Sequence, residues 1–192
     1  IGRLVKGEHP RMEALRQALS AVVETRVSQD IYAELYSKLI VNSCITSLGA
    51  ICGLHLGEML KRRRARDIFL AIIGEAMDVA HAMKLQVPPF GGKLDYEKLM
   101  HGDTPLDSLR RHVMIRLVGM KYSKLKSSSL QSLERGRPTE IDYFNGYIAR
   151  KGQELHVDCP VNQRLVTMIK EIEHHAREIN VKNLEDPGLL VK

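Results

Sequence analysis

Apolar residues recur at helical spacing along almost the whole chain, and no segment alternates convincingly with period two. Such a pattern buries its apolar faces by packing helices on helices, not by building a sheet. Composition points the same way. Aromatic residues are 5% of the 192 and Trp is absent, so the 44% hydrophobic content rests on Leu, Ile, Val, Ala and Met. The length suffices for one domain with a properly buried core or for two very small ones. The expected fold class is therefore all-α.

Local signals divide the chain into helices. The first is predicted over residues 11–25, with Pro10 tolerated in its first turn and Met12, Leu15, Leu19 and Val22 or Val23 on one face. The second starts after Asp30, a good N-cap, and is expected to turn Ile31, Leu35, Leu39 and Ile45 to the core. Gly49, Gly53 and Gly57 punctuate the next stretch as a helix end and a bend. A long helix is predicted over 58–83, closed by Val87-Pro88-Pro89-Phe90-Gly91-Gly92, with shorter ones over 95–101 and 106–120. A helical turn after Ser127-Ser128-Ser129 and helices over 139–155 and 160–178 complete one helical body at 1–179, leaving 180–192 as a peripheral tail.

Several function classes drop out. The net charge of +6 suits an anionic partner such as a nucleotide phosphate or an organic acid, and is too mild for nucleic acid. The run Lys61-Arg62-Arg63-Arg64-Ala65-Arg66 spreads its charges around several helix faces without interleaved aromatics, as a solvated helix start or a partner contact would. The longest uncharged stretch, residues 39–54, carries Asn42, Ser43, Thr46 and Ser47, and reads as a buried helix and turn, not a membrane span. His174 and His175 are adjacent, so they point to different faces and lack the spacing a metal prefers; no metal site is expected. Cys44, Cys52 and Cys159 form no CxxC pair and cannot all bond one another, which suggests small buried hydrophobes in a reducing, cytoplasmic setting. No signal-peptide pattern follows Ile1-Gly2-Arg3. There is no GxGxxG after a strand and no P-loop, so the chain holds no nucleotide by itself in any standard way.

Two segments carry candidate chemistry. In Tyr36-Ser37-Lys38-Leu39-Ile40-Val41-Asn42-Ser43-Cys44-Ile45-Thr46, the i, i+4, i+8 spacing lines Lys38, Asn42 and Thr46 along one polar stripe of an otherwise apolar helix. A lysine desolvated beside such a face is suited to donate a proton, and an amide one turn away can orient a carbonyl or hydroxyl. Spacing alone favours a snorkelling lysine with an incidental Asn. The second segment runs from Ser127 to Asp142. A serine at its helix start is a natural seat for a carboxylate, Thr139 with Asp142 resembles a capping box, and Glu140 falls in a helix's first turn. By spacing alone, these are two helix caps.

The residues themselves are more specific than their spacing. Lys38-Leu39-Ile40-Val41-Asn42 followed by Gly57-Glu58, the run Arg135-Gly136-Arg137-Pro138-Thr139-Glu140-Ile141-Asp142-Tyr143-Phe144-Asn145-Gly146-Tyr147, and Pro160-Val161-Asn162 closely resemble the C-terminal domain of ketopantoate reductases (2-dehydropantoate 2-reductases). The resemblance covers about residues 1–173, and implies a helical fold similar to the C-terminal domains of the 6-phosphogluconate dehydrogenase superfamily. It also implies NADPH-dependent reduction of a 2-keto acid, ketopantoate to pantoate for pantothenate. Lys38 would then be the proton donor, Asn42, Thr46 and Ser128 would bind substrate, and Glu140 would contact NADPH. The implied partners are the keto acid, an N-terminal nucleotide-binding half and, as an option, a second copy in a homodimer. Four positions depart from the family pattern, which has Asn where Thr46 and Leu56 stand, Asp at Ser132 and Trp at Tyr36. Losing a polar partner changes substrate preference more than reaction type, so a related reductase of another keto acid is one alternative, and a non-catalytic helical module for dimerisation or partner binding is the other.

Overall fold

A computed structural model of the chain describes residues 1–4 and 9–189. Among them are nine α-helices, three short 3-10 helices and no strand, only an isolated bridge between Phe90 and Leu94, so the all-α expectation holds. The helices are α1 (Pro10–Ser20), α2 (Ile31–Cys52), α3 (Leu56–Lys61), α4 (Arg63–Ala82), α5 (Tyr96–Met100), α6 (Pro105–Lys121), α7 (Ser128–Glu134), α8 (Asn145–Leu155) and α9 (Pro160–Glu173).

The central element is α2. The Asp30 carboxylate accepts from the Ala33 N–H at 3.1 Å and starts it, and Gly53, in the left-handed region at φ 71°, ends it. Gly49, expected to help end the helix, stays inside it. The helix is long and apolar enough to cross a membrane, yet most of it is buried within the fold, as expected of a core helix. Its core face is Tyr36, Ile40, Cys44, Leu48 and Ile51, and Leu35, expected inside, is exposed. The apolar residues fill both flanks of α2, so periodicity alone did not show which flank meets α4. That helix runs antiparallel beside it, the Tyr36 hydroxyl donating to the Ala76 carbonyl at 2.7 Å and the Cys44 thiol to that of Phe69. All three cysteines are buried and unpaired, as the sequence suggested.

Three sequence expectations fail for tertiary reasons. The single helix over 58–83 is two, broken at Arg62 in extended conformation. The Arg66 guanidinium reaches back to the Leu60 and Lys61 carbonyls, each at 2.8 Å, and satisfies the end of α3. The first helix stops at Ser20 and buries nothing: Leu15, Leu19, Val22 and Val23 stay exposed. The tail, expected to be peripheral, instead joins the core. Leu184 and Leu189 are 1% and 0% exposed, and the Asn183 amide donates to the Ile51 carbonyl at 2.9 Å. Arg164 grips Asp186 with two hydrogen bonds, at 2.9 and 2.7 Å, and that hydrogen-bonded pairing, against the effect of burial, holds the Asp186 carboxyl below its ordinary range. Residues 190–192 of that tail lie outside the described residues.

Candidate functional site on helix α2

The polar stripe forms as the spacing predicts. Lys38, Asn42 and Thr46 share the flank of α2 opposite its contact with α4, and span about 12 Å along the axis at 1.5 Å per residue. The neighbouring turns are fixed from inside. The Ser37 hydroxyl donates to the Pro88 carbonyl at 2.8 Å, the Tyr96 hydroxyl to the Ser37 carbonyl at 2.6 Å, and Tyr147 stacks edge-on against Tyr36. Lys38 is exposed, and its ammonium makes no hydrogen bond or ion pair with the described residues. The desolvation expected of it is therefore not present in this chain alone. The side chain of half-buried Asn42 is equally uncommitted.

Thr46 differs. Its side chain is 6% exposed, and its hydroxyl donates to the Asn42 carbonyl one turn back at 2.7 Å, so its only proton is used within the helix. It keeps acceptor capacity but has no donor to offer a ligand. Leu56, where the family pattern has Asn, is buried in the core beneath α6.

Helix α7 packs along α2. Ser127, not Ser128, is its N-cap: the buried Ser127 hydroxyl accepts from the Leu130 N–H at 3.2 Å and reaches the Thr46 carbonyl at 3.4 Å. Gly49 makes this approach possible, since a Cβ there would stand 2.6 Å from Ser127 Oγ. Ser128 sits in the first turn, exposed and uncommitted, beside the Thr46 end of the stripe. The structure thus lines Lys38, Asn42 and Thr46 along α2 and sets Ser128 next in sequence to the residue that touches Thr46, at the end of the stripe away from Lys38.

Glu140 stands apart from them. It is exposed, caps a 3-10 helix at Ile141–Tyr143 through its backbone, and no hydrogen bond or ion pair joins it to the other four. The expected Thr139–Asp142 capping box is absent. Thr139 gives both its N–H and its hydroxyl to Glu173, each at 2.7 Å, while Asp142 pairs with Lys170 at 2.7 Å. Burial works against the Glu173 carboxylate, but the Thr139 donors and the Lys170 ammonium together hold its pKa below the usual range. These long-range ties fix the backbone from which Glu140 projects.

Sequence reasoning missed one buried network. The Asn145 amide donates to Asn162 Oδ1 at 2.9 Å, and the Asn162 amide donates to Glu75 Oε2 at 2.6 Å. Glu75 also accepts the Val161 and Asn162 N–H groups at the start of α9, at 2.8 and 2.9 Å. Burial nevertheless raises its pKa above the ordinary carboxylate value. Two motifs that looked independent, Asn145-Gly146-Tyr147 and Pro160-Val161-Asn162, are therefore pinned together through one carboxylate. The available signal was a glutamate beside the apolar stripe Ile68, Ile72, Ala76 and Val79 of α4. Among the described residues no group of His, Cys, Asp and Glu is arranged to hold a metal.

Residues 30–173 match the family model described as ketopantoate reductase PanE/ApbA C terminal. The chain belongs to that family. Among curated relatives, a 2-dehydropantoate 2-reductase of Archaeoglobus fulgidus is 28% identical over 144 residues, covering 75% of this chain and 42% of the relative. The chain spans about half the length of the curated relatives it matches. Among solved structures, a PanE/ApbA family ketopantoate reductase from Ralstonia eutropha JMP134 superposes with TM-score 0.70 at 24% identity, covering 88% of this chain and 51% of that one. A D-mandelate dehydrogenase with NADH and anilino(oxo)acetate gives TM-score 0.72 at 24% identity, covering 91% and 65%. At these identities the structural likeness establishes the shared helical fold.

Proposed function

We propose that this chain is the substrate-side half of an NADPH-dependent reductase of 2-keto acids, with 2-dehydropantoate as its substrate. One observation carries the reading: Lys38 and Asn42 lie one turn apart on a rigidly held helix with both side chains uncommitted, and the equally uncommitted Ser128 starts the helix that meets α2 at Thr46. Free polar groups aligned on a buried scaffold are what a substrate-binding face requires.

The chemistry follows from that alignment. When bound, NADPH supplies hydride to the keto carbon, and the carbonyl oxygen then gathers negative charge. The Lys38 ammonium donates its proton to that oxygen, giving the 2-hydroxy acid and leaving a neutral amine that solvent reprotonates. The Asn42 amide donates a hydrogen bond that orients the same end of the substrate, and the Ser128 hydroxyl holds a carboxylate oxygen. Closure of the nucleotide-binding half over α2 would provide the desolvation that Lys38 lacks here.

The described residues contain no loop that cradles a pyrophosphate, so most of the cofactor's binding falls to that second half. Glu140, an uncommitted carboxylate, suits the cofactor's hydroxyl or amide donors. Helix α1 supports the same division, because its apolar face finds no partner among the described residues and suits packing against the nucleotide-binding half. Three unpaired thiols fit a cytoplasmic enzyme. A second reading, a related reductase of another keto acid, draws on Thr46, which has given its proton to the helix, and on buried Leu56.

The test is NADPH oxidation by the complete gene product with ketopantoate and a panel of other 2-keto acids. Turnover fastest with ketopantoate supports the first reading, and turnover fastest with another member supports the second. No keto-acid-dependent oxidation at all would sink both.

A further inference from the structure

The basic run at the start of α4 has no task in the reductase reading. Within Lys61-Arg62-Arg63-Arg64-Ala65-Arg66, Lys61 pairs with Glu58 at 2.6 Å, Arg64 donates to the Leu184 carbonyl at 3.1 Å, and Arg66 donates to the Leu60 and Lys61 carbonyls. Arg62 and Arg63 stay exposed, and their side chains make no hydrogen bond or ion pair with the described residues. This placement runs against the helix. Peptide dipoles leave partial positive charge at a helix N-terminus, where acids are stabilising, yet the first turn of α4 holds no acid and Arg62 provides no side-chain cap. A local rule broken without compensation inside the chain marks a place where function is the compensation.

Helix α6 adds to the same field. His112 and Arg116 lie one turn apart, flanking the face through which Ile115 and Gly119 pack inward. Arg66 Nε stands 3.4 Å from His112 Nδ1 and sets the register of the two helices, so Arg63 and Arg66, one turn apart on α4, meet His112 and Arg116 across the seam. Among the described residues the only ion-pair partner of these four is Asp67, 3.4 Å from His112 Nε2. The crowding of charge shows in proton affinity. Burial first, and then the charges of Arg116 and Arg63, lower the pKa of Arg66 against the pull of Asp67. Burial, with the charges of Arg66, Arg63 and Arg111, lowers that of His112, again against Asp67.

The dimensions of the patch select its ligand. Arg63 and Arg66 are about 4.5 Å apart along their helix, and His112 and Arg116 about 6 Å, which suits one or two tetrahedral anions and not a nucleic-acid strand. Guanidinium forks match phosphate oxygens in pairs, and two linked phosphates would engage Arg63 and Arg116 together. The patch is also separate from the α2 face. Tyr36 meets Ala76 and Cys44 meets Phe69, so Arg63 lies about 20 Å along α4 from the level of Tyr36, toward the end of α2 away from Lys38.

We infer that the seam between α4 and α6 binds a small soluble polyphosphate through Arg63, Arg66, His112 and Arg116.

Titration calorimetry on the complete gene product, with NADPH saturating so that the cofactor's own phosphate sites are filled, tests this with inorganic pyrophosphate. One pyrophosphate should bind per chain. Arg63→Gln and Arg116→Gln, both at exposed and unpaired positions, should each weaken binding about fivefold or more. Lys93→Gln removes the same charge from an exposed position outside the seam and should change the affinity by less than about twofold, because salt screens exposed charges at that range. Binding should also raise the pKa of His112, followed through the NMR signals of its imidazole. The ligand adds negative charge to a ring that otherwise faces Arg63, Arg66 and Asp67 of α4 and is flanked by Arg111 and Arg116 of α6. Vesicles containing phosphatidic acid offer the same chemistry from a membrane and should not retain the protein at physiological salt. The inference is overturned by any of four results: no pyrophosphate binding at millimolar concentration, Arg63→Gln or Arg116→Gln weakening it no more than Lys93→Gln, an unmoved His112, or uptake by the vesicles in preference to pyrophosphate.

Discussion

Replacing Gly49 with alanine sets two opposing effects against each other, and the structure decides between them. Within a helix, alanine is preferred to glycine by about 1 kcal/mol, so α2 considered alone would gain. Gly49, however, is where α7 reaches α2: the new Cβ would stand 2.6 Å from Ser127 Oγ and 2.9 Å from Ser127 Cβ. Relief requires α7 to move, and overpacking of this kind costs about 1–3 kcal/mol. The Ser127 cap on the Leu130 N–H is then strained or lost, at a further cost of about 1 kcal/mol. The expected net result is a destabilisation of roughly 1–3 kcal/mol, a fall in melting temperature of roughly 2–10 °C for a chain of this size. Displacing Ser128 should also raise KM for the keto acid more than it lowers kcat. The decisive control is the same change made with Ser127→Gly, which removes both clashing atoms while glycine still serves as an N-cap at a cost of a few tenths of a kcal/mol. In that background Gly49→Ala should become neutral or stabilising. If Gly49→Ala raises the melting temperature of the otherwise unchanged protein, the close approach of α7 to α2 is wrong, and with it the placement of Ser128.

Two further predictions concern the carboxy-terminal segment. Leu184→Ala should cost about 2–5 kcal/mol in denaturant-induced unfolding, as befits a core leucine, and a cost within ~0.5 kcal/mol would return the segment to the periphery. Asp186 has its pKa lowered in the folded chain by Arg164, so its stabilisation is fully present above the unfolded carboxylate range near ~4 and is lost as pH falls through the lower, folded value. Asp186→Asn should flatten that acid limb in a pH series of melting curves. An unchanged limb would show that the Arg164 pairing contributes nothing.

Much of this architecture was legible in the residues, and the failures share one cause. Pro10 and Asp30 mark helix starts by chemistry that acts within a turn, and those two starts and the one at Pro160 stand within a residue of where expected. The break at Arg62 depends on Arg66 folding back across α3, and the Thr139 N–H goes to Glu173, 34 residues away, instead of to Asp142, while the Thr139 hydroxyl still accepts from the Ile141 N–H. Leu184 and Leu189 are too few to announce a core strand or helix, yet they complete the packing against α2 and α9. The same division holds at the site. The alignment of Lys38, Asn42 and Thr46 is a property of helix period alone. The commitment of the Thr46 hydroxyl to the Asn42 carbonyl, the exposure of Lys38, and the choice of Ser127 among the three serines as N-cap depend on what surrounds the helix.

Lys38 as proton donor is the assignment on which the mechanism depends most, and one substitution addresses it directly. Lys38 is exposed and unpaired in this chain, so Lys38→Ala should leave the melting temperature of the complete protein nearly unchanged. In steady-state turnover with NADPH and the preferred 2-keto acid, kcat should fall about 100-fold or more, the range typical of a lost general acid. A fall of less than about tenfold, in a variant that folds normally, would contradict the assignment.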